Sequence, residues 1–415
     1  MNSNELLSLA HLRTFRLVAG TGSVTRAAAA LSRAQSAVTR SVKELESALG
    51  AQLFDRSPSG MLPTAVGQVV LLRCERIFVE LLELAQWCAA RQEEQLPGDG
   101  SIPAYLLNTR RLQLFIALAR HRHMASTAKA FDVSQPAVSM AVRTLEIDSG
   151  LTLFHRNPRG ILLTREGETF LLHVRRALNE LRHVPDDIAA LHGKIQGVVT
   201  VGALPLGRTL ILPGAIAMAT AKHPGVRVVT DESAYETLIA GLRAGDIDFI
   251  LGALRDYDSS SGLKNERLTS EDMVVLVRRD HPLTHAHDST IADLRDAQWI
   301  LPRRNAPTRG VFETQFRRLK LPPPMPTVET ADLAVIRGLL FNTDMVAALS
   351  AQHLHYEIRS GQLVALDVKL HNTQRDIGLT VRALDTLSPA ACALIDAIRL
   401  SIPSPAIVED QCAGA

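Results

Sequence analysis

The sequence predicts a multidomain chain: two copies of a small α-helical unit, each trailed by a long helix, and then an α/β domain. Three observations predict it. The first half repeats itself at a distance of 100 residues, apolar residues within each copy fall at helical spacing, and from about Lys194 short strands begin to alternate with helices. A chain of 415 residues is in any case too long for one compact core and suggests two to four domains.

Aligning Leu12 with Leu112 and continuing without a gap to Gly67 and Gly167 gives 20 identities in 56 positions. They include Phe15/Phe115, Gln35/Gln135, Val38/Val138, Leu45/Leu145, Glu46/Glu146, Gly50/Gly150, Phe54/Phe154 and Arg56/Arg156. Two copies make a tandem pair rather than a solenoid.

Each copy reads as three helices and a wing. In copy 1 the first helix lies near Leu12–Ala19, with Leu12, Phe15 and Ala19 on one face. An Ala-rich second helix spans about 24–31, suited to close packing, and the chain turns near Ser32–Ala34. A third helix starting about Gln35 turns Val38, Val42, Leu45 and Leu49 inward, and its other face carries Ser36, Thr39, Arg40 and Lys43. After Leu53-Phe54, the Pro/Gly-punctuated stretch through Arg56 to Leu62 reads as a small β-wing. An outward face of Gln, Ser/Thr and Arg suits the major groove of DNA, because Gln pairs bidentately with adenine and Arg with guanine. A wing arginine is placed to meet a phosphate. Periodicity alone leaves an ordinary three-helix domain open.

Copy 2 reads Ser134-Gln-Pro-Ala-Val-Ser139, then Leu145-Glu146, then Gly150-Leu-Thr-Leu-Phe154-His-Arg156. This resembles the helix-turn-helix and wing of LysR-type transcriptional regulators. The resemblance implies that Ser134, Gln135, Pro136, Ser139 and Arg143 face DNA, with Arg156 and Arg159 in the wing. In physical terms Ser134 is a good N-cap, and Pro136 stands in the first helical turn, where a missing N–H costs little. Copy 1 departs from the pattern: Ala34 replaces the capping serine, Ser36 the proline, and Ser59 stands where copy 2 has Arg159. Ser32 or Ser36 is an alternative cap for a slightly shifted start. The outward face of copy 1 is more basic, with Arg26, Arg33, Arg40 and Lys43. We expect both copies to bind DNA, copy 1 through Arg26, Gln35, Ser36, Thr39, Arg40, Lys43 and Arg56; the alternative is a structural or phosphate-only copy 1.

Long apolar-rich helical stretches follow each wing, 68–95 and 168–191, the first ending at the breaker Leu96-Pro-Gly-Asp-Gly100. In the family the matching helix pairs across a dimer; packing on its own domain is the alternative. The expected segments are 9–67 for copy 1, 68–96 for its helix, 97–107 for a loop linker, 108–167 for copy 2, 168–193 for its helix, 194–400 for the α/β domain and 401–415 for a tail.

In the α/β domain, strands are expected at 197–202, 226–231 and 247–252, and helices at 212–221 and 237–244. The succession resembles the LysR effector domain, itself similar to type 2 periplasmic binding proteins. That implies two lobes, 194–271 with 375–400 and 272–374, and a ligand in the crevice at the strand carboxyl ends. Expected crevice residues are Pro205, Leu206, Gly207, Arg208, Thr209, Ser233 and Leu254 from one lobe. The other offers Arg303, Arg304, Thr308, Arg309 and Thr330. Its arginines suit a carboxylate, so a small anionic metabolite is the expected effector.

Formal net charge is only +2, yet 10–60 carries seven Lys/Arg against three Asp/Glu and 108–167 nine against four, a modest sign of polyanion binding. The four cysteines are scattered, which fits a reducing compartment and indicates neither disulfides nor zinc. No signal peptide, membrane span, Walker loop, nucleophile elbow or dinucleotide fingerprint is present, so a cytoplasmic protein that is not an enzyme is expected, without cofactor or metal. Expected partners are double-stranded DNA, a small-molecule effector, further copies of the chain as dimer or tetramer, and RNA polymerase. The rival readings are a DNA-bound architectural protein that senses nothing and a metal-dependent enzyme built on the scattered histidine pairs.

Overall fold

The computed structural model describes residues 6–57, 60–92, 102–157, 160–257, 262–285, 289–383 and 386–402. Copy 1 comprises α1 (Leu9–Thr21), α2 (Val24–Ala30), α3 (Gln35–Leu49), β1 (Phe54–Ser57) and β2 (Gly60–Pro63), and α4 (Ala65–Gln92) follows it. Copy 2 repeats the order as α5 (Thr109–His121), α6 (Met124–Ala130), α7 (Gln135–Ser149), β3 (Phe154–Asn157) and β4 (Gly160–Leu163), followed by α8 (Arg165–Leu191).

Identical residues do identical work in the two copies. The Glu46 carboxylate accepts the Leu53 N–H at 2.9 Å, and Glu146 accepts that of Leu153 at 2.9 Å, each tying the end of the third helix to the start of its wing. Gly67 and Gly167 begin the long helices against the Leu53 and Leu153 carbonyls, where an added Cβ would sit 2.2 and 2.1 Å from the oxygen. Each wing is also pinned to the turn after the first helix, Met61 N–H to Gly22 O and Ile161 N–H to Arg122 O, both 3.0 Å. Copy 1 reaches that turn with Gly22 at φ 64°, whereas copy 2 holds Arg122 in the same left-handed region at φ 56°.

Both copies contribute to one hydrophobic core, although Leu114, Ala128 and Val138 of copy 2 form a small cluster of their own. Phe15, Val38, Leu45, Ile77, Phe78 and Leu84 are buried with Leu112, Phe115, Phe170, Val174 and Leu181. The expected loop linker changes character at its described end: Ala104–Leu107 is a 3-10 turn that buries Tyr105, Leu106 and Leu107 in this core. Residues 93–101 of that segment lie outside the described residues.

The helices α4 and α8 lie against each other and run antiparallel, since Arg73 meets Glu180 while Glu80 meets His173. Arg73, 3 % exposed, donates from Nη1 to Glu180 (2.6 Å) and from Nε and Nη2 to Asp187 (2.6 and 3.2 Å). Burial works against its charge, but Asp187 and Glu180 outweigh burial and raise its pKa.

The α/β domain has two five-stranded sheets. Lobe I orders its strands β6-β5-β7-β14-β8, from β5 (Gln196–Ala203), β6 (Gly225–Asp231), β7 (Phe249–Ala253), β8 (Leu263–Glu271) and β14 (Arg375–Arg382). The short α9 (Pro205–Arg208), with α10 (Ile211–Lys222), α11 (Tyr235–Ala244) and α15 (Pro389–Leu400), completes it. Lobe II orders its strands β11-β10-β12-β9-β13, from β9 (Met273–Arg278), β10 (Trp299–Leu301), β11 (Val328–Glu329), β12 (Val346–Ser350) and β13 (Leu363–Leu366). Its helices are α12 (Pro307–Arg318), α13 (Leu333–Asn342) and α14 (His355–Arg359). The chain crosses between lobes at Asp272 and again before Arg375, where Thr373 Oγ1 donates to Asp272 (3.0 Å) and accepts from Met273 N–H (3.2 Å). Lobe I rests on the paired helices: Arg73 Nη1 reaches Thr386 O at 3.0 Å, Arg175 pairs with Asp246 at 3.0 Å and Arg176 Nε donates to Arg243 O at 2.6 Å. No described helix is long and apolar enough to cross a membrane.

Candidate DNA interface and ligand crevice

The third helix of each copy buries one side and leaves the other bare. In α3, Val38, Ser41, Val42 and Leu45 are buried. Gln35, Ser36, Arg40 and Lys43 are exposed and Thr39 is partly so, and Ser36, Thr39, Arg40 and Lys43 flank one shallow groove. Arg40 leans on Glu44, Nε to Oε1 at 2.8 Å, and Arg26 on α2 is exposed. In α7, Ser134, Gln135, Pro136 and Arg143 are exposed and Ser139 partly so. The Ser134 hydroxyl accepts the Ala137 N–H at 3.3 Å, while Ala34 offers no side-chain cap and α3 still begins at Gln35. Neither Ser32 nor Ser36 shifts the start. Arg56 and Arg156 lie on β1 and β3; Arg159 lies outside the described residues. Where copy 2 shows Pro136 and Met140, copy 1 shows Ser36 and Arg40, so Gln35 and Gln135 are the polar residues identical on the two outward faces.

Between the lobes lies a cavity of about 240 Å³. It sits at the carboxyl ends of β5, β7, β10 and β12, where neighbouring parallel strands lead away to opposite sides. Of the expected residues, Pro205, Leu206, Thr308 and Thr330 line it. The others do not. Gly207 packs against Leu251, with room for no Cβ. Arg208 is half-buried on α9, and Thr209 Oγ1 donates across the lobes to Gln352 O at 3.2 Å. Leu254 joins the backbone of Asp376, and Ser233, Arg303 and Arg304 face solvent. Arg309, expected to clamp a ligand, is turned inward: 2 % exposed, it donates to Glu313 Oε1 (2.7 Å) and Pro302 O (3.1 Å) and lies 3.6 Å from Glu329. Its charge is spent on holding the start of α12.

The polar lining comes instead from the crossovers and from the β12 end. Arg375 opens β14 at the second crossover and has no carboxylate partner among the described residues. Burial and then the nearby Arg255 push its pKa down. Glu271 closes β8 at the first crossover; its Oε2 accepts the Ser350 hydroxyl and its Oε1 has no partner among the described residues. Burial pushes its carboxyl up to about 8. Burial, then Arg208 and Arg375, hold the His353 ring down at about 4, and neither ring nitrogen has a partner among the described residues. Arg255 stacks 3.3 Å from the centroid of the Tyr235 ring and pairs with Glu236 at 3.2 Å. At neutral pH the crevice thus carries arginine charge beside a protonated carboxyl and a neutral imidazole. The N-terminus of α12 opens onto it without a side-chain cap, with Ala306, Pro307 and Thr308 in the lining.

A duplicated winged helix-turn-helix unit joined to a two-lobed crevice domain defines a DNA-binding regulator with an effector domain. Residues 9–68 and again 109–168 match the bacterial regulatory helix-turn-helix protein of the lysR family, and residues 192–401 match the LysR substrate binding domain. The chain therefore belongs to the LysR family of transcriptional regulators, and it is a regulator rather than an enzyme. Over 402 residues it is 47 % identical to the HTH-type transcriptional regulator GalR of Pseudomonas putida, covering 97 % of this chain and 99 % of that one. Its fold is similar to a full-length OxyR variant from Pseudomonas aeruginosa (TM-score 0.54, 24 % identity, 71 % of this chain and 95 % of that one). It is similar also to full-length CbnR complexed with its target DNA (TM-score 0.51, 24 % identity, 71 % and 100 %).

Proposed function

We propose that this regulator binds a small organic acid between its two lobes and that the bound acid alters how its helix-turn-helix units hold DNA. The observation that carries the reading is Arg375, a cation at the crevice floor with no carboxylate partner among the described residues, beside Glu271 held neutral. A carboxylate entering there gains a bidentate partner, and the open helix N-terminus adds N–H dipoles of the right sign. The unpartnered polar atoms of Glu271, His353 and Tyr235 suit hydroxyl or similar groups elsewhere on the ligand. Helix α11 supports the link to DNA: Tyr235 at its start lines the crevice, while Arg243 and Asp246 at its other end meet Arg176 and Arg175 of α8. A ligand that favours one lobe arrangement biases α8 by its difference in affinity between arrangements. RNA polymerase is the further partner of this reading, met by the DNA-bound protein at the promoter.

The test is thermal unfolding of purified protein against a panel of carboxylic acids and of neutral sugars. At one hundred times its Kd a ligand stabilises by about 2.7 kcal/mol. The expected result is a rise with at least one acid that Arg375→Met abolishes. Sugars stabilising the protein while every acid fails would sink the proposal.

A further inference from the structure

We infer that one chain is a complete two-fold reader of duplex DNA, engaging two unlike, inverted half-sites without a second chain; the inference rests on the DNA-binding reading above. A two-fold interface has a signature: if residue i of one unit touches j of the other, j of the first touches i of the second. The two copies, offset by 100 residues, show it repeatedly. Arg73 pairs with Glu180 at 2.6 Å, and the equivalent residues exchanged, His173 and Glu80, pair at 2.8 Å. Arg76 approaches Glu180 at 3.8 Å, and Arg176 approaches Glu80 at 3.5 Å. On the axis itself equivalent residues must meet, and the Leu9 N–H donates to Thr109 Oγ1 at 3.0 Å.

The apolar faces that such a pair needs are consumed within the chain. Cys74, Ile77, Phe78, Leu81 and Leu84 of α4 are buried, as are Val174, Leu178 and Leu181 of α8. Among the described residues of these two helices, the large apolar side chains left outside are Leu72 and Val79 on α4 and Leu191 at the far end of α8, too scattered to seat another helix pair. The dimensions also fit. The reciprocal pairs place the axis near Arg76 and Arg176, and from Ala65 to that point is roughly 17 Å at 1.5 Å per residue. The wings therefore attach to the helix pair at points roughly 34 Å apart, comparable with the one-turn spacing of about 34–36 Å between half-sites.

The two readers are not alike. Gln35 and Gln135 are equivalent, but Arg40 stands opposite exposed Met140 and Ser36 opposite Pro136. The half-sites should share the base step read by glutamine and differ beside it, which gives the site a polarity that identical subunits cannot impose.

The experiment selects bound duplexes from a pool with a randomised 30-base-pair centre, using the full chain and its Gln35→Ala and Gln135→Ala variants. Both glutamines are exposed, so folding is expected to survive, and thermal unfolding checks it. The expected outcome for the unaltered chain is an inverted pair of related but unequal half-sites about 10 base pairs apart, centre to centre. Each variant should lose base preference, on the order of tenfold to a hundredfold, in one half only, and the two variants in opposite halves. Loss in both halves from Gln135→Ala alone would show two chains each lending copy 2, and would overturn the inference while leaving DNA binding intact. No selection at all at low salt would overturn both. The mass of the complex on a single selected site gives an independent check: one chain per duplex is expected.

Discussion

Replacing Arg73 with methionine removes the cation from beneath Glu180 and Asp187, in the middle of the α4–α8 pair. The guanidinium makes four donor contacts there, to Asp187 (2.6 and 3.2 Å), Glu180 (2.6 Å) and the Thr386 carbonyl (3.0 Å). Its side chain is 3 % exposed and those of Glu180 and Asp187 are 9 % and 13 % exposed, so water reaches the two carboxylates poorly. Removing one partner from a buried charge cluster costs about 3–5 kcal/mol, the lower end fitting here because Arg76 stays 3.8 Å from Glu180. The control lies two residues on: Glu75 pairs with Arg16 at 2.8 Å, but the side chains are 49 % and 41 % exposed, and Glu75→Gln should cost under about 1 kcal/mol. Two tryptophans, Trp87 on α4 and the fully buried Trp299 of lobe II, make the helical half readable by itself. In a Trp299→Phe background, urea unfolding followed at Trp87 should lose several kcal/mol with Arg73→Met. The triple variant Arg73→Met/Glu180→Gln/Asp187→Asn should recover much of it, because removing all three charges ends the desolvation penalty. Equal effects of Arg73→Met and Glu75→Gln, or a triple variant no better than the single, would refute the argument that this buried node holds the copies together.

Two further outcomes are expected. Ala34 has φ −68° and ψ 144°, nearly the −74° and 151° of the capping Ser134, so Ala34→Ser should protect the first turn of α3 by about 1 kcal/mol and Ser134→Ala should expose that of α7 by as much, read by amide hydrogen exchange at Ala37 and Ala137. Burial raises the Glu271 carboxyl to about 8 in the folded protein, so its contribution is fully favourable below the ordinary carboxylate range and is lost as pH rises through 8. Glu271→Gln, which mimics the protonated form, should therefore leave the melting temperature unchanged near pH 5 and raise it relative to the parent near pH 9.

The helical half was legible because its signals are local. Apolar spacing marks α3 and α7, and the Leu-Glu and Gly-x-x-Leu-Phe patterns are the covalent trace of Glu46 and Glu146 holding the wing. The pairing of α4 with α8 was not legible: its partners are some hundred residues apart, and a helix with one apolar face offers no sign of which helix covers it. The crevice shows a different failure. Arg303, Arg304 and Arg309 look alike in sequence, yet burial of Phe312 and Phe316 beneath α12 turns Arg309 toward Glu313 and leaves the other two in water. Arg375 and Glu271 carry a positional signal in the sequence. A lobe boundary at 271/272 and 374/375 makes the crossovers the crevice floor, so the charged residues flanking those boundaries were candidates by position alone.

The two-fold arrangement of the helices is broken by what sits on it. Arg76 and Arg176 are equivalent residues near the axis, yet Arg76 meets the Thr386 hydroxyl, just before α15, and Arg176 meets the Arg243 carbonyl, at the end of α11. One lobe thus straddles the axis and grips both helices at unlike points. A symmetric dimer carries two crevices, and its DNA response depends on whether one or both are filled, which admits cooperativity between them. A single chain with two readers has one crevice for the whole site. Its occupancy follows one binding step, so a one-chain complex should respond to effector along a simple saturation curve. Sharper responses then require contacts between chains outside the α4–α8 pair.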